Sequence, residues 1–254
     1  MFGLRNFSGN CWVNTCIQCV LRIPEVQARY NAGTIDKDNL IDVNLSKIWN
    51  SKGAEGLNEF CQSVKTKLMP AGNGIGDSHE LLVYLCDKLP FLDELMRFKI
   101  AESVKCSNCE YSEMKTDTVI EFSISSLETN TPIGNCISEA VKPTTIEDWK
   151  CEKCGKLGCT KQQLIGSFPK VMSFHMIPTN GSIDYSSVLV LNKTQYALVS
   201  VACFNGGHWW GYGRNMPPGT PWYSIDDTRL QQHKPNEFPI SNRMRLLIYY
   251  RIDN

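Results

Sequence analysis

Apolar residues recur along this chain with two different periods. Trp12, Val13, Cys16, Ile17, Val20 and Leu21 are spaced three and four apart until Pro24 interrupts them, which predicts a helix. Helix-like spacing returns at Leu40 to Trp49, and at Gly56 to Met69 through Leu57, Phe60, Val64 and Leu68. Asp77 to Leu89 carries an amphipathic stripe of Leu81, Leu82, Leu85 and Leu89, and Pro90 closes it. Ala71-Gly72-Asn73-Gly74 between them reads as a loop. From about Phe98 the period shortens. Phe98 to Lys105 and much of Tyr111 to Ile124 alternate, with valine and threonine enrichment that favours strands. A short helix is expected within Asn130 to Val141. Strand-like runs follow at Val171–Met176, Ser187–Leu191, Tyr196–Phe204, Trp209–Arg214, Trp222–Ile225 and Arg245–Arg251. Turns at Asn180-Gly181, Asn205-Gly206-Gly207 and Met216-Pro217-Pro218-Gly219 separate several of them. Helices first and strands after predict an α+β architecture rather than alternating βαβ units.

Composition changes this picture little. The 254 residues suffice for one or two domains, and 42% apolar with 20% charged residues is ordinary for a folded chain. Zero formal net charge gives no long-range field for nucleic acid or a membrane surface. No apolar run approaches the roughly 18 residues of a membrane span, and no signal segment is expected at the N-terminus. No internal repeat is visible.

Twelve cysteines add chemistry. Cys106, Cys109, Cys151 and Cys154 form two C-x-x-C pairs. Two such knuckles complete tetrahedral S₄ coordination, which selects a structural zinc with no open position. Cys159 is a spare thiol nearby. Unliganded thiols or disulfides are the other readings. Thiolate ligands point to a reducing compartment, cytosol or nucleus.

Cys11 follows the loop and cap formers Asn6, Ser8, Gly9 and Asn10, so it falls in a first helical turn with Asn10 as N-cap. The helix dipole there favours a thiolate, as a nucleophile needs. The bland reading is a buried core cysteine. Of the four histidines, His79 and His175 read as structural and His233 as exposed in a polar loop. His208 follows Gly206-Gly207, whose missing side chains let a substrate backbone approach closely. Asp226-Asp227 is by itself a solvated turn.

Gly3, Leu4, Asn6, Cys11, Asn14 and Gln18 match, without a gap, the cysteine box G-L-x-N-x-G-N-T-C-Y-x-N-S-x-L-Q. In these residues the chain resembles the ubiquitin-specific proteases. Trp12 takes the aromatic place, Thr15 the hydroxyl, and Ser8-Gly9-Asn10 departs from Gly-Asn-Thr. Tyr196 to Val201 with Gly207-His208-Trp209 and Tyr212 resembles the histidine box, with the loop before the histidine nearly absent. Trp222 to Asp227 resembles W-x-x-F-D-D, and Gly76 to Leu81 resembles Q-D-A-x-E-F. Arg245 to Arg251 resembles the closing strand, Y-x-L-x-Y-x-R. The resemblance runs nearly end to end in a chain shorter than most family catalytic domains.

The resemblance implies a papain-like thumb, fingers and palm over about 1–95, 96–165 and 166–254, with the zinc knuckles at the fingertip. It implies Cys11 as nucleophile, His208 as base, Asp226 as its orienting acid and Asn6, with the Cys11 N–H, as oxyanion donor. Asp227 becomes an auxiliary acid. Asp77, Glu80, Gly206 and Gly207 become contacts for the ubiquitin tail, although Asp77 and Glu80 equally suit a helix start. The implied activity is thiol-dependent hydrolysis after the terminal glycine of ubiquitin, by a monomer whose partners are ubiquitin and ubiquitinated proteins. Two alternatives are an idle ubiquitin-binding scaffold and a protease for a ubiquitin-like modifier. Nucleic-acid binding through Lys150, Lys153, Lys156 and Lys161 is disfavoured by the neutral charge.

Overall fold

Helix α1 (Cys11–Val20) is buried on every face, so it must lie inside the molecule rather than on it. A computed structural model, which describes residues 1–69, 74–234, 237–238 and 241–252, shows what surrounds it. Five helices follow: α2 (Pro24–Asn31), α3 (Leu40–Asn50), α4 (Leu57–Leu68), α5 (Ser78–Lys88) and α6 (Pro90–Met96). Their buried side chains, with α1, form one core against a face of the large sheet through Val171, Val199, Ala202, Leu246 and Ile248.

That sheet contains β3 (Phe122–Ile124), β7 (Val171–Met176), β9 (Val188–Leu191), β10 (Thr194–Phe204), β11 (Trp209–Gly213), β12 (Tyr223–Asp226), β13 (Arg229–Gln232) and β14 (Met244–Arg251). Its order is β13-β12-β11-β10-β14-β7-β3, with β9 also on β10. β3 pairs with β7 in parallel; the other pairings are antiparallel. The second face carries its own core, into which α7 (Ile133–Ala140) packs Ile133, Cys136 and Ile137. β10 is central and covered on both sides, so its residues are almost continuously buried.

A second sheet of four strands has the order β2-β1-β6-β5, from β1 (Phe98–Cys106), β2 (Ser112–Val119), β5 (Thr144–Lys150) and β6 (Leu157–Ile165). Two residues each of β4 (Thr131–Pro132) and β8 (Ile183–Asp184) pair in parallel. Within the expected finger span, β3 and α7 therefore join the core of the large sheet. Their apolar residues, Phe122, Ile124 and Ile137 among them, share that core with Phe98 and Ile100 at the base of the four-stranded sheet, whose outer strands β2 and β5 are mostly exposed.

Several boundaries differ from expectation. Pro24 and Pro90 do not only end helices; each is the first residue of a new one, α2 and α6, where its missing N–H costs nothing. Helix α2 buries only Val26 and Tyr30. It is anchored instead on buried Asp42 of α3, which accepts from Arg29 (2.6 Å), the Tyr30 hydroxyl (3.0 Å) and the Asp36 N–H (2.8 Å). Strands β5, β6 and β13 lack a clean apolar alternation. Of the loop expected at 71–74, residues 71–73 lie outside the described residues.

Candidate active site and metal centre

The polar residues of α1 determine what lies beside its first turn. Asn14 and Gln18 are buried, and an unmade hydrogen bond there would cost about 1–3 kcal/mol. Gln18 donates to the Phe2 carbonyl at 2.6 Å. Asn14 donates to the Leu4 and Arg5 carbonyls at 3.3 Å and to the Asp227 carboxylate at 2.7 Å. The N-terminal segment is thus laid along α1 and across the turn joining β12 to β13. Leu4 N–H donates to the Asp227 carbonyl at 2.9 Å. A side chain on Gly3 would come within 2.7 Å of the Thr228 backbone, so only glycine fits that crossing.

Cys11 opens α1, 2% exposed. Asn10 holds the N-cap position, but its side chain does not cap the helix. It turns back to accept from the Phe7 N–H (2.7 Å) and donates to Arg5 O and Asn14. It therefore shapes the loop before the cysteine. Asn6 sits in that loop with its amide orientation decided by its partners. Its Oδ1 accepts from the Asn10 N–H at 3.1 Å, and its Nδ2 donates to Asp227 Oδ2 at 2.9 Å. A carboxylate only accepts and an N–H only donates, so the amide NH₂ must face Asp227.

His208 arrives from the sheet side. The Asn205-Gly206-Gly207 turn is closed by Asn205 Oδ1, which accepts from the N–H groups of Gly207 (3.0 Å) and His208 (2.9 Å). Gly206 has φ +99° with open space around it, so conformation rather than crowding calls for glycine there. His208 Nε2 lies 2.6 Å from Asp226 Oδ1 on β12. Ligand-type atoms of His208, Asp226 and Asp227 all fall within 4.8 Å of one another. The Cys11 thiol meets the Trp209 backbone N–H, one residue beyond His208. The structure therefore brings Cys11, Asn6, His208, Asp226 and Asp227 to one place.

The expected depression of the thiol is not seen. Burial holds Cys11 above its ordinary value, and the Asp227 charge adds to this, against N–H groups of Trp209 and Trp12. Desolvation outweighs the helix terminus because the thiol has almost no contact with water. Alkylation at Cys11, read by mass spectrometry, is accordingly expected to rise through the alkaline range. Asp227→Asn should move that curve to lower pH, because one of the raising charges is gone. An unmoved curve would show that Asp227 does not act on the thiol.

Helix α5 begins beside the same place. Asp77 caps it by accepting from the His79 N–H at 2.7 Å, and Glu80 is exposed in its first turn. Ser78 Oγ donates to the Trp12 carbonyl at 2.8 Å. Any side chain at Gly76 would meet the Trp12 ring at 2.5 Å, so the glycine leaves room for the larger indole. His233 is not simply exposed: it is half-buried, with Nε2 2.7 Å from Ser224 Oγ. Sequence reasoning missed the positioning work of Asn14, Gln18 and Asn10. The available signal was two amide side chains four apart on a helix otherwise apolar but for Thr15.

At the far end of the four-stranded sheet, the Sγ atoms of Cys106, Cys109, Cys151 and Cys154 lie within 4.8 Å of one another. Cys106–Cys154 and Cys109–Cys151 are both 3.7 Å apart. Thiolates about 2.3 Å from one zinc have tetrahedral edges of about 3.8 Å, whereas a disulfide is about 2.05 Å. The donor set and its spacing fit zinc. The Asn108 N–H points to Cys106 Sγ at 3.3 Å, and Gly155 takes φ +71° to turn the second knuckle. Cys159 is buried opposite Cys106 on β6 and is not among the converging thiols.

The search of curated proteins found no sequence match. Among solved structures, the fold is similar to that in the SAGA DUB module Ubp8/Sgf11/Sus1/Sgf73 bound to monoubiquitin. The TM-score is 0.83 at 15% identity, over 100% of this chain and 69% of that one. The yeast SAGA DUB module with an altered Sgf73 gives 0.82 at 14%, covering 100% and 69%. The module bound to ubiquitin aldehyde gives 0.79 at 16%, covering 100% and 70%. At such identities the likeness speaks for the fold, which is the ubiquitin-specific protease type expected from the motifs. The family model for ubiquitin carboxyl-terminal hydrolase matches residues 2–249, and the chain belongs to that family.

Proposed function

We propose that this protein is a deubiquitinating cysteine hydrolase, with Cys11 as nucleophile, His208 as general base and acid, and Asp226 as the group that orients His208. The supporting observation is the convergence of Cys11 with the His208–Asp226 pair across the junction of α1 and the large sheet. Asp226 engages Nε2, so the imidazole keeps its proton there and leaves Nδ1 for the thiol. The raised thiol makes that base necessary: Cys11 gives its proton to His208 as it attacks the carbonyl of a terminal glycine. The tetrahedral intermediate expels the amine, which takes the proton from His208. Water, deprotonated by His208, then cleaves the thioester to a free carboxylate.

Asn6 supplies an oxyanion donor together with the Cys11 N–H. Asp227 takes one N–H of its amide and leaves the other available. Asn6→Ala should lower kcat by about 10²–10³ with little change in KM. A large KM rise at constant kcat would remove Asn6 from that role. Asp77, Glu80, Gly206 and Gly207 are proposed to border the ubiquitin tail. A thumb near 1–95, fingers near 96–165 and a palm near 166–254 would grip its body. Bound zinc would cross-link the fingertip through its four cysteines and take no part in the reaction. Unpaired cysteines throughout support a reducing compartment, cytosol or nucleus. No helix among the described residues is long and apolar enough to cross a membrane.

The test is release of a fluorophore from the C-terminus of full-length ubiquitin. Release by wild type supports the proposal. A folded wild type that binds ubiquitin and releases nothing would leave a binding scaffold. Release only from a ubiquitin-like modifier would change the substrate.

A further inference from the structure

Three titratable side chains that the proposed hydrolytic chemistry does not use lie close together. His79 lies in the first turn of α5, His175 in β7, and Glu121 immediately before β3. The two imidazoles stack with centroids 3.8 Å apart and planes 3° from parallel. His79 Nε2 touches Glu121 Oε2 as an ion pair, yet neither atom makes a hydrogen bond of acceptable angle, and both are shut off from solvent. One donor atom from each of the three residues lies within 4.8 Å of the other two.

The ion pair joins only two of the three residues; part-buried His175 is held against it by the stacked His79 ring, and its own ring has no protein acceptor among the described residues. The charges facing the cluster favour a cation. Asp77, Glu80 and Glu121 act on His79, while Arg245 acts on His175 from β14. Glu121 also lines an open groove of about 450 Å³ with Val83, Ile100, Thr118 and Gln163.

We propose that His79, Glu121 and His175 form a second metal site, separate from the four-cysteine centre, for a divalent first-row cation of the zinc class. Two imidazoles and a carboxylate are the nitrogen and oxygen donors such ions accept, and three protein ligands leave a position for water. In-plane lone pairs on parallel rings run side by side, so binding must turn the rings out of their stack. The bound ion ties three separate segments together: the start of α5, the residue before β3, and β7. Asp77 caps α5, so the ion clamps that end of the helix to the large sheet.

Cobalt(II) titration of metal-stripped protein, in which the large sheet and its helices stay folded, separates the two sites. The first equivalent should develop intense thiolate charge-transfer bands. The second should add only the weak visible bands of nitrogen and oxygen ligation. Glu121→Gln and His175→Gln should each keep the first equivalent and weaken the second by at least about 100-fold, the upper end of the loss when only a ligand's outer partner is removed. His208→Ala should keep both, which separates this site from the His208–Asp226–Asp227 group. In wild type alone, a second equivalent of zinc should shift the ring resonances of His79 and His175 and leave those of His208 and His233 in place. Uptake of one equivalent only, a second equivalent that survives both substitutions, or one lost with His208 would each overturn the proposal.

Discussion

Cys11→Ala should abolish ubiquitin hydrolysis, lowering kcat by about 10⁴-fold or more, the range found when a nucleophile is removed from an intact catalytic group. The fold should survive. Cys11 is a small side chain at the start of a helix, and its replacement removes a single buried sulfur. Affinity for ubiquitin should be retained, since the proposed body and tail contacts would be made elsewhere. His208→Ala should lose a comparable factor, and the double variant should be little worse than either single one, because the pair acts as a unit. Residual turnover within about tenfold of wild type would sink the assignment of Cys11. So would an additive double variant, which would mean that the two residues work independently. Either result would direct attention to the remaining buried thiols near α1, Cys16 and Cys19, both of which burial pushes far from thiolate formation.

Removal of zinc should have the largest structural effect. The four-stranded sheet has little apolar cover: β2 is exposed along almost its whole length, and most of β5 is exposed as well. Its buried hydrophobic residues gather at its two ends, Phe98 and Ile100 at the base, and Cys106, Cys151 and Cys159 near the tip. A structural zinc site in a small peptide carries apparent binding energies of about 10–16 kcal/mol, most of which becomes folding energy. Cys151→Ser, or prolonged chelation, should therefore melt this sheet locally. Hydrogen exchange protection should fall over β1, β2, β5 and β6 while α1 and β10 stay protected. Ubiquitin hydrolysis should then slow through weaker substrate binding, seen as a raised KM. Unchanged protection across β1 and β6 in zinc-free protein would show that the strands hold without the metal.

Legibility in the sequence followed burial. Helices α1, α4 and α5 and strands β7, β10 and β14 were readable because each packs at least one face against a core. Helix α2 was hidden because its anchor is the polar network on Asp42, which leaves no apolar period. β13 was hidden because it is exposed throughout and held only by pairing with β12. The candidate site divided in the same way. Cys11, His208 and the four clustered cysteines stood out by residue type and local pattern. Asn14 matched the cysteine box, but its role stayed hidden because its partner Asp227 lies 213 positions away.

The sequence by itself determined that helices come first and strands after, the two thiolate knuckles, and the motifs that carry the family resemblance. These are local properties, written in period, spacing and residue type. Only the tertiary structure decided how the Asn6 amide is turned, and that burial keeps the Cys11 thiol raised despite its helix terminus. Only it stacked His79 on His175 beside Glu121. Each of these depends on side chains brought together from distant parts of the chain. Desolvation and hydrogen-bond direction are set by those neighbours, which no single stretch of sequence contains.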